Sequence, residues 1–280
     1  MKKINVLSIV LMLMLQTAFA QQSAPATQLD WKLGAQAYTF KNFTFAEALD
    51  KMASIDLKYV EAYPGQKIGH NIDGTMHFTM DAATRMQVKN LLKEKGITVV
   101  AYGVVSGKNG EEWKQIFEFA KDMGIGVVNS EPKKEDIDMV NRLAGDYGIL
   151  VAIHNHPKPS TYWHPDTVLE AVKGRSNIKA CADVGHWVRS GMDPIENLKK
   201  LEGHVASIHF KDLHEKSSEA HDVPWGKGVS DAEGIIKEMK RQRFEGVISA
   251  EYEYNWDNSL PEVEQSVNFF RKMASKYNPQ

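Results

Sequence analysis

From residue 33 onward, short β-rich apolar runs that close on a polar residue alternate with longer stretches whose apolar positions recur every three to four residues. The short runs fall at 33–37, 59–61, 98–102, 126–130, 150–154, 179–183, 205–209 and 247–251. The stretches between them carry helix starts. Thr44 with Glu47, Ser230 with Glu233 and Ser259 with Glu262 have capping-box spacing, and Asp193 precedes Pro194 as a helix cap precedes a first-turn proline. Gly96, Gly124 and Gly148 each stand just before a run, where a left-handed residue would end the preceding helix. Strands separated by helices pair in parallel, and eight such repeats predict closure into a (β/α)8 TIM barrel. An open doubly wound sheet would need a glycine-rich turn after its first strand, and Ala37-Tyr38-Thr39-Phe40 is not one. No Pro/Gly/Ser-rich linker interrupts the series, so residues 29–280 read as one catalytic domain.

The first residues break the pattern. Lys2 and Lys3 precede an apolar run at 6–15 and a small-x-small site at Ala18-Phe19-Ala20, which predicts a secretory signal over 1–20 and a disordered lead-in over 21–28. The expectation is therefore an exported protein, periplasmic or secreted, with no membrane attachment after cleavage; Gln21 stands where a lipoprotein would need cysteine. Cys181 is the sole cysteine of the 280 residues, so no intrachain disulfide forms and the core rests on packing. A formal charge of −2 offers no basic field for nucleic acid and points to a small-molecule partner.

Barrel chemistry collects at the C-terminal ends of strands. Here those ends carry Glu61, Glu131, His154-Asn155-His156, Asp183 with His186, His209 with Lys211, and Glu251 with Glu253, and eight of the ten histidines lie between 154 and 221. Converging carboxylates repel unless a cation relieves them. Glu131, Asp183 and Glu251 with a neutral His209 make an oxygen-rich ligand set suited to one divalent ion, Mn2+, Mg2+ or Co2+ ahead of Zn2+. His154 and His156 share a face of an extended strand and are candidates for catalysis or substrate contact, as are His186 and Lys211. Aromatics cluster at the same ends: Tyr38, Phe40, Tyr63, Tyr102, Trp187, Trp225, Tyr252 and Trp256. Tyr102 and Trp225 are taken with Glu61, His156 and His186 as substrate-binding candidates, because sugar rings present apolar C–H faces.

Over residues 33–272 the chain resembles the xylose isomerase-like TIM-barrel family of sugar isomerases and epimerases, inosose dehydratases and AP endonucleases. The resemblance rests on Ser130-Glu131-Pro132, the His154-Asn155-His156 triplet, Asp183 with His186, His209-Phe210-Lys211-Asp212 and Glu251-Tyr252-Glu253. It implies that Glu131, Asp183, His209 and Glu251 hold the metal and that Glu131 and Glu251 form the acid/base pair. AP endonucleases of the family carry histidines where this chain has Glu61 and Tyr102, and ketose 3-epimerases carry an arginine where it offers Lys211 and then His214.

The chemistry expected is removal of a proton next to a carbonyl. Isomerisation or epimerisation of an unphosphorylated carbohydrate comes first, with catalysis by Glu131, Glu251, His154 and Lys211. The alternatives are a metal-dependent lyase or hydratase acting on 3-keto glycosides or inososes, and a non-catalytic periplasmic carbohydrate-binding barrel.

Overall fold

A computed structural model describes residues 31–277; the signal and lead-in expected over 1–28 lie outside the described residues. The β-rich runs form eight strands: β1 Lys32–Gln36, β2 Tyr59–Ala62, β3 Thr98–Tyr102, β4 Val127–Ser130, β5 Leu150–His154, β6 Ile178–Asp183, β7 Val205–Phe210 and β8 Val247–Ala250. Each end lies within one residue of the run read from the sequence. Every neighbouring pair is parallel, and β1 pairs with both β2 and β8, which closes the barrel. Register sets the polar strand ends level with one another: Asp183 lies opposite His209, His209 opposite Ser249, and Gln36 opposite Glu61.

Helices pack outside because their caps and stripes agree. Thr44 and Glu47 form the reciprocal capping box, Asp193 accepts from the amides of Ile195 and Glu196, and Gly96, Gly124 and Gly148 all adopt left-handed C-caps. Two of the three expected capping boxes differ. The Ser230 hydroxyl accepts from the Leu213 amide, and Asp231 caps the helix Ala232–Arg241 instead. Ser259 donates its hydroxyl to the Thr39 carbonyl, tying the last helix to the loop after β1.

Apolar side chains form an outer layer between sheet and helices and a separate cluster inside the lower barrel, made of Val100, Ala101, Val127, Ala152, Cys181, Ala206 and Val247. Cys181 is buried there as a small hydrophobe. Two short antiparallel hairpins, Lys67–Gly69 with Ile72–Thr75 and Asp212–Leu213 with Asp222–Val223, grow from the loops after β2 and β7 and frame the mouth. Among the described residues no helix is long and apolar enough to cross a membrane.

Candidate metal centre and active site

The site begins with His209, whose ring is fixed by a carboxylate across the barrel. Its Nε2 lies 3.0 Å from both oxygens of Glu61, so Nε2–H donates and Nδ1 faces Glu251 Oε2. Glu61 is itself held, accepting from Asn129 Nδ2 at 2.7 Å and from Ser249 Oγ at 2.7 Å, while Ser207 Oγ donates to Asn129 Oδ1 at 2.6 Å. Asn129 follows Val127 at the two-residue period of a strand and so points inward with it. Glu61, expected to touch substrate, instead braces a histidine from beneath at 1% exposure.

A second histidine is braced in the same way. His154 Nδ1 is 3.3 Å from Glu131 Oε1, which leaves Nε2 facing Asp183 Oδ2 at 3.5 Å. Burial would lower this imidazole, but the Asp183 and Glu131 carboxylates beside it outweigh that and push it up to about 9. Glu131 also binds His156 Nδ1 and accepts from Ser160 Oγ at 2.7 Å. It therefore stands one step outside the group it was expected to join. β4 ends at Ser130, and the chain then turns at Pro132, whose carbonyl accepts from Tyr162.

Asp183 closes β6 fully buried, with Oδ1 accepting the His186 amide at 2.7 Å and Oδ2 turned inward. Burial opposes its ionisation, yet His186 and the Lys211 ammonium hold it well below the usual carboxylate range. Glu251, just past β8, places Oε2 at 2.8 Å from His209 Nδ1. Burial would raise it too, and His209 and Lys211 keep it far down.

Ligand atoms of His154, Asp183, His209 and Glu251 thus lie within 4.8 Å of one another. His154 Nε2, His209 Nδ1 and Glu251 Oε2 are all buried and converge without a well-aligned hydrogen bond, meeting their neighbours as ion-pair contacts at 3.5 Å for His154 with Asp183 and 2.8 Å for His209 with Glu251. One divalent cation would satisfy them together, so these residues fit a metal. The set differs from the expected one in that His154 takes the place of Glu131. Two nitrogens and two oxygens are less hard than three carboxylates and one imidazole, so the donors no longer set Mn2+, Mg2+ or Co2+ clearly ahead of Zn2+.

Lys211, expected as a catalytic proton carrier, is 1% exposed. Its Nζ lies 2.8 Å from Asp183 Oδ2, 2.9 Å from Glu251 Oε2 and 2.8 Å from Glu253 Oε2. Burial would lower it, but these three carboxylates lift it well above its ordinary value, which leaves it no proton to give. Arg189 extends the network to Glu253 and Asp222, both at 3.0 Å, and burial pushes the Asp222 carboxyl up to about 7. Sequence reading missed Arg189 and Asp222, which lie on a helix and a two-residue strand that carry no motif.

Above the cluster opens a cavity of about 290 Å³, walled by Gln36, Tyr38, Tyr63, His154, His156, His186, Glu251 and Glu253 among others. That volume suits a ligand of monosaccharide size. Tyr38 meets Tyr63 and Trp256 edge-on at 5.2 and 5.5 Å, giving one aromatic wall. His156 is half exposed, whereas burial holds the His186 imidazole well below its usual value.

Tyr102 and Trp225 do not reach this cavity. Ala101 turns into the barrel, so Tyr102 turns out and packs on Phe119 of the helix layer at 5.0 Å. Trp225 is 4% exposed and lies against Phe210 at 4.3 Å and Phe270 at 6.1 Å, holding down the last helix.

The family model for the xylose isomerase-like TIM barrel matches residues 49–273. The chain belongs to that family. Within this xylose isomerase-like family it is 36% identical to an uncharacterised protein of Parabacteroides distasonis whose structure covers 87% of this chain and 99% of its own, with a TM-score of 0.72. A D-tagatose 3-epimerase-like protein superposes with a TM-score of 0.68 at 18% identity, over 88% of this chain and 99% of its own, a likeness of fold. An inosose dehydratase of Clostridium botulinum is 27% identical over 158 residues, 50% of this chain and 53% of that protein. The chain thus spans about half the length of the curated relatives it matches.

Proposed function

We propose that this xylose isomerase-like barrel is an exported, divalent-cation-dependent lyase or dehydratase that removes a proton next to a carbonyl of an unphosphorylated keto-sugar or inosose and expels the β-oxygen. The observation that carries this reading is the asymmetry of the cavity wall. Glu251 is an ionised carboxylate facing the cavity, while the imidazoles of His154, His156 and His186 and the phenols of Tyr38 and Tyr63 line the rest of it, Glu253 being occupied by Lys211 and Arg189. An epimerase working with two carboxylates would need Glu131 free at the wall, and both its oxygens are taken by His154, His156 and Ser160.

When bound by His154, Asp183, His209 and Glu251, a cation would supply positive charge beside the substrate carbonyl and so make the neighbouring C–H more acidic. Glu251 Oε2 faces the cluster, which leaves Oε1 to take the proton. The C–H electron pair forms the new C=C bond as the β C–O bond breaks. His156, with Nδ1 held by Glu131, protonates the departing oxygen from Nε2, releasing water or an alcohol. Tyr38 and Tyr63 face the ring's C–H side, with Trp256 packed behind Tyr38. The similarity to inosose dehydratases supports a dehydration. Export through a leader at 1–20 fits an unphosphorylated substrate.

Incubation of keto-glycosides and inososes in heavy water with added Mn2+ tests the reading. The expected result is an unsaturated product or a released alcohol; return of a deuterated sugar of unchanged composition would make the protein an isomerase or epimerase instead.

A further inference from the structure

Two of the four oxygens and nitrogens that would hold the cation already carry one. Lys211 Nζ sits at 2.8 Å from Asp183 Oδ2 and 2.9 Å from Glu251 Oε2, the same oxygens that face His154 Nε2 and His209 Nδ1. The lysine is built into that position. Its stem runs over Gly185, where a Cβ would come within 2.7 Å of Lys211 Cβ and 2.8 Å of its Cδ, so only glycine leaves the channel open. The third partner, Glu253 Oε2 at 2.8 Å, lies on the cavity side and belongs to no ligand group.

We infer that Lys211 is a tethered competitor for the cation site: it neutralises Asp183 and Glu251 when no ion is held, and withdraws to Glu253 when an ion takes their oxygens. An ammonium cannot satisfy His154 Nε2 and His209 Nδ1 in ligand geometry, so the lysine holds the carboxylates without completing the site, and a divalent ion completes it. The withdrawn position is prepared, because Glu253 is also fixed by Arg189 at 3.0 Å. This makes the bound ion exchangeable, with an affinity set by the lysine as much as by its ligands. A ligand that binds only the state with the lysine withdrawn is weakened by that state's population, so a population of about one in ten would weaken the ion about ten-fold.

The inference rests on the cation reading of the preceding section, and the experiment separates the two. Mn2+ binding to the chelator-treated full chain is followed by the electron paramagnetic resonance signal of free Mn2+, and thermal unfolding is followed in chelator. Lys211→Met should bind Mn2+ about ten-fold tighter than the wild type and melt at a lower temperature in chelator. These are opposite signs that a purely structural lysine would not give. Binding of Mn2+ by the wild type with equal or weaker binding by Lys211→Met overturns the competitor role alone. No binding by either chain overturns the cation reading and the competitor with it. Should Lys211→Met not fold, Lys211→Gln and Glu253→Gln keep the test: Lys211→Gln tightens the ion, and Glu253→Gln weakens it in the wild type but not in the Lys211→Gln background. Equal weakening in both backgrounds would mean that Glu253 acts through its own charge and that the lysine does not withdraw to it.

Discussion

The two ends of the barrel interior are carried on the same strands, two residues apart. Near the N-terminal end the inward side chains are Ala152 on β5, Cys181 on β6 and Val247 on β8, part of an apolar cluster. One pleat higher stand His154, Asp183 and, below Glu251, Ser249, all buried and all in polar contact. The lower end is satisfied by packing alone. At the upper end three buried polar atoms meet their neighbours only as ion-pair contacts, and two histidines are each aimed by a carboxylate, Glu61 behind His209 and Glu131 behind His154. The difference teaches where this sequence spends stability: the upper end keeps desolvated polar groups that the lower end shows are not required for closure of the barrel.

That contrast can be broken from either side. The largest effect belongs to Glu251→Gln, expected to slow solvent deuterium exchange into substrate by roughly 10²–10⁴-fold; exchange at the wild-type rate would remove Glu251 as the base. At the lower end, Ala152→Asp should cost about 3–5 kcal/mol in urea unfolding, since no partner there receives the charge. A small loss would mean the lower cluster is open enough to solvate a carboxylate. Glu61→Gln sharpens the comparison, with metal affinity expected to fall by about 10–100-fold as His209 loses its orienting carboxylate, measured by competition with a fluorescent chelator. The smallest effect concerns pH. Burial raises Asp222 from 3.8 to about 7, so its proton is held more tightly in the folded chain than in the unfolded one. Its stabilising share is complete below about pH 4 and is lost as pH rises through 7. Asp222→Asn should flatten the decline in melting temperature across that window, and an unchanged slope would free Asp222 of this role.

The barrel was legible because each of its signals is local: two-residue periods, caps at Thr44 and Asp193, and glycines at 96, 124 and 148 that must be left-handed. Asp183, His209 and Glu251 were legible for the same reason, standing at strand ends where register lines them up. What escaped depends on pairings across the barrel. Glu131 sits one residue past β4, and nothing in its neighbours says that Ser160 and His156 hold it away from the cluster. Glu61 reads as a mouth residue until His209 is seen beneath the same carboxylate. Tyr102 was misassigned because a strand end shows that an aromatic is near the mouth but not which face it takes; the inward turn of Ala101 settles it. Lys211 was read as a catalytic residue, since its three carboxylate partners come from two segments distant in sequence, one ending in Asp183 and one carrying Glu251 and Glu253.

The central claim is that His154, Asp183, His209 and Glu251 share one cation. Anomalous diffraction from crystals soaked in Mn2+ tests it most directly. The account predicts a single strong peak at roughly 2.0–2.3 Å from His154 Nε2, Asp183 Oδ2, His209 Nδ1 and Glu251 Oε2. A peak ligated through Glu131 in place of His154, or no peak at saturating ion, would contradict it.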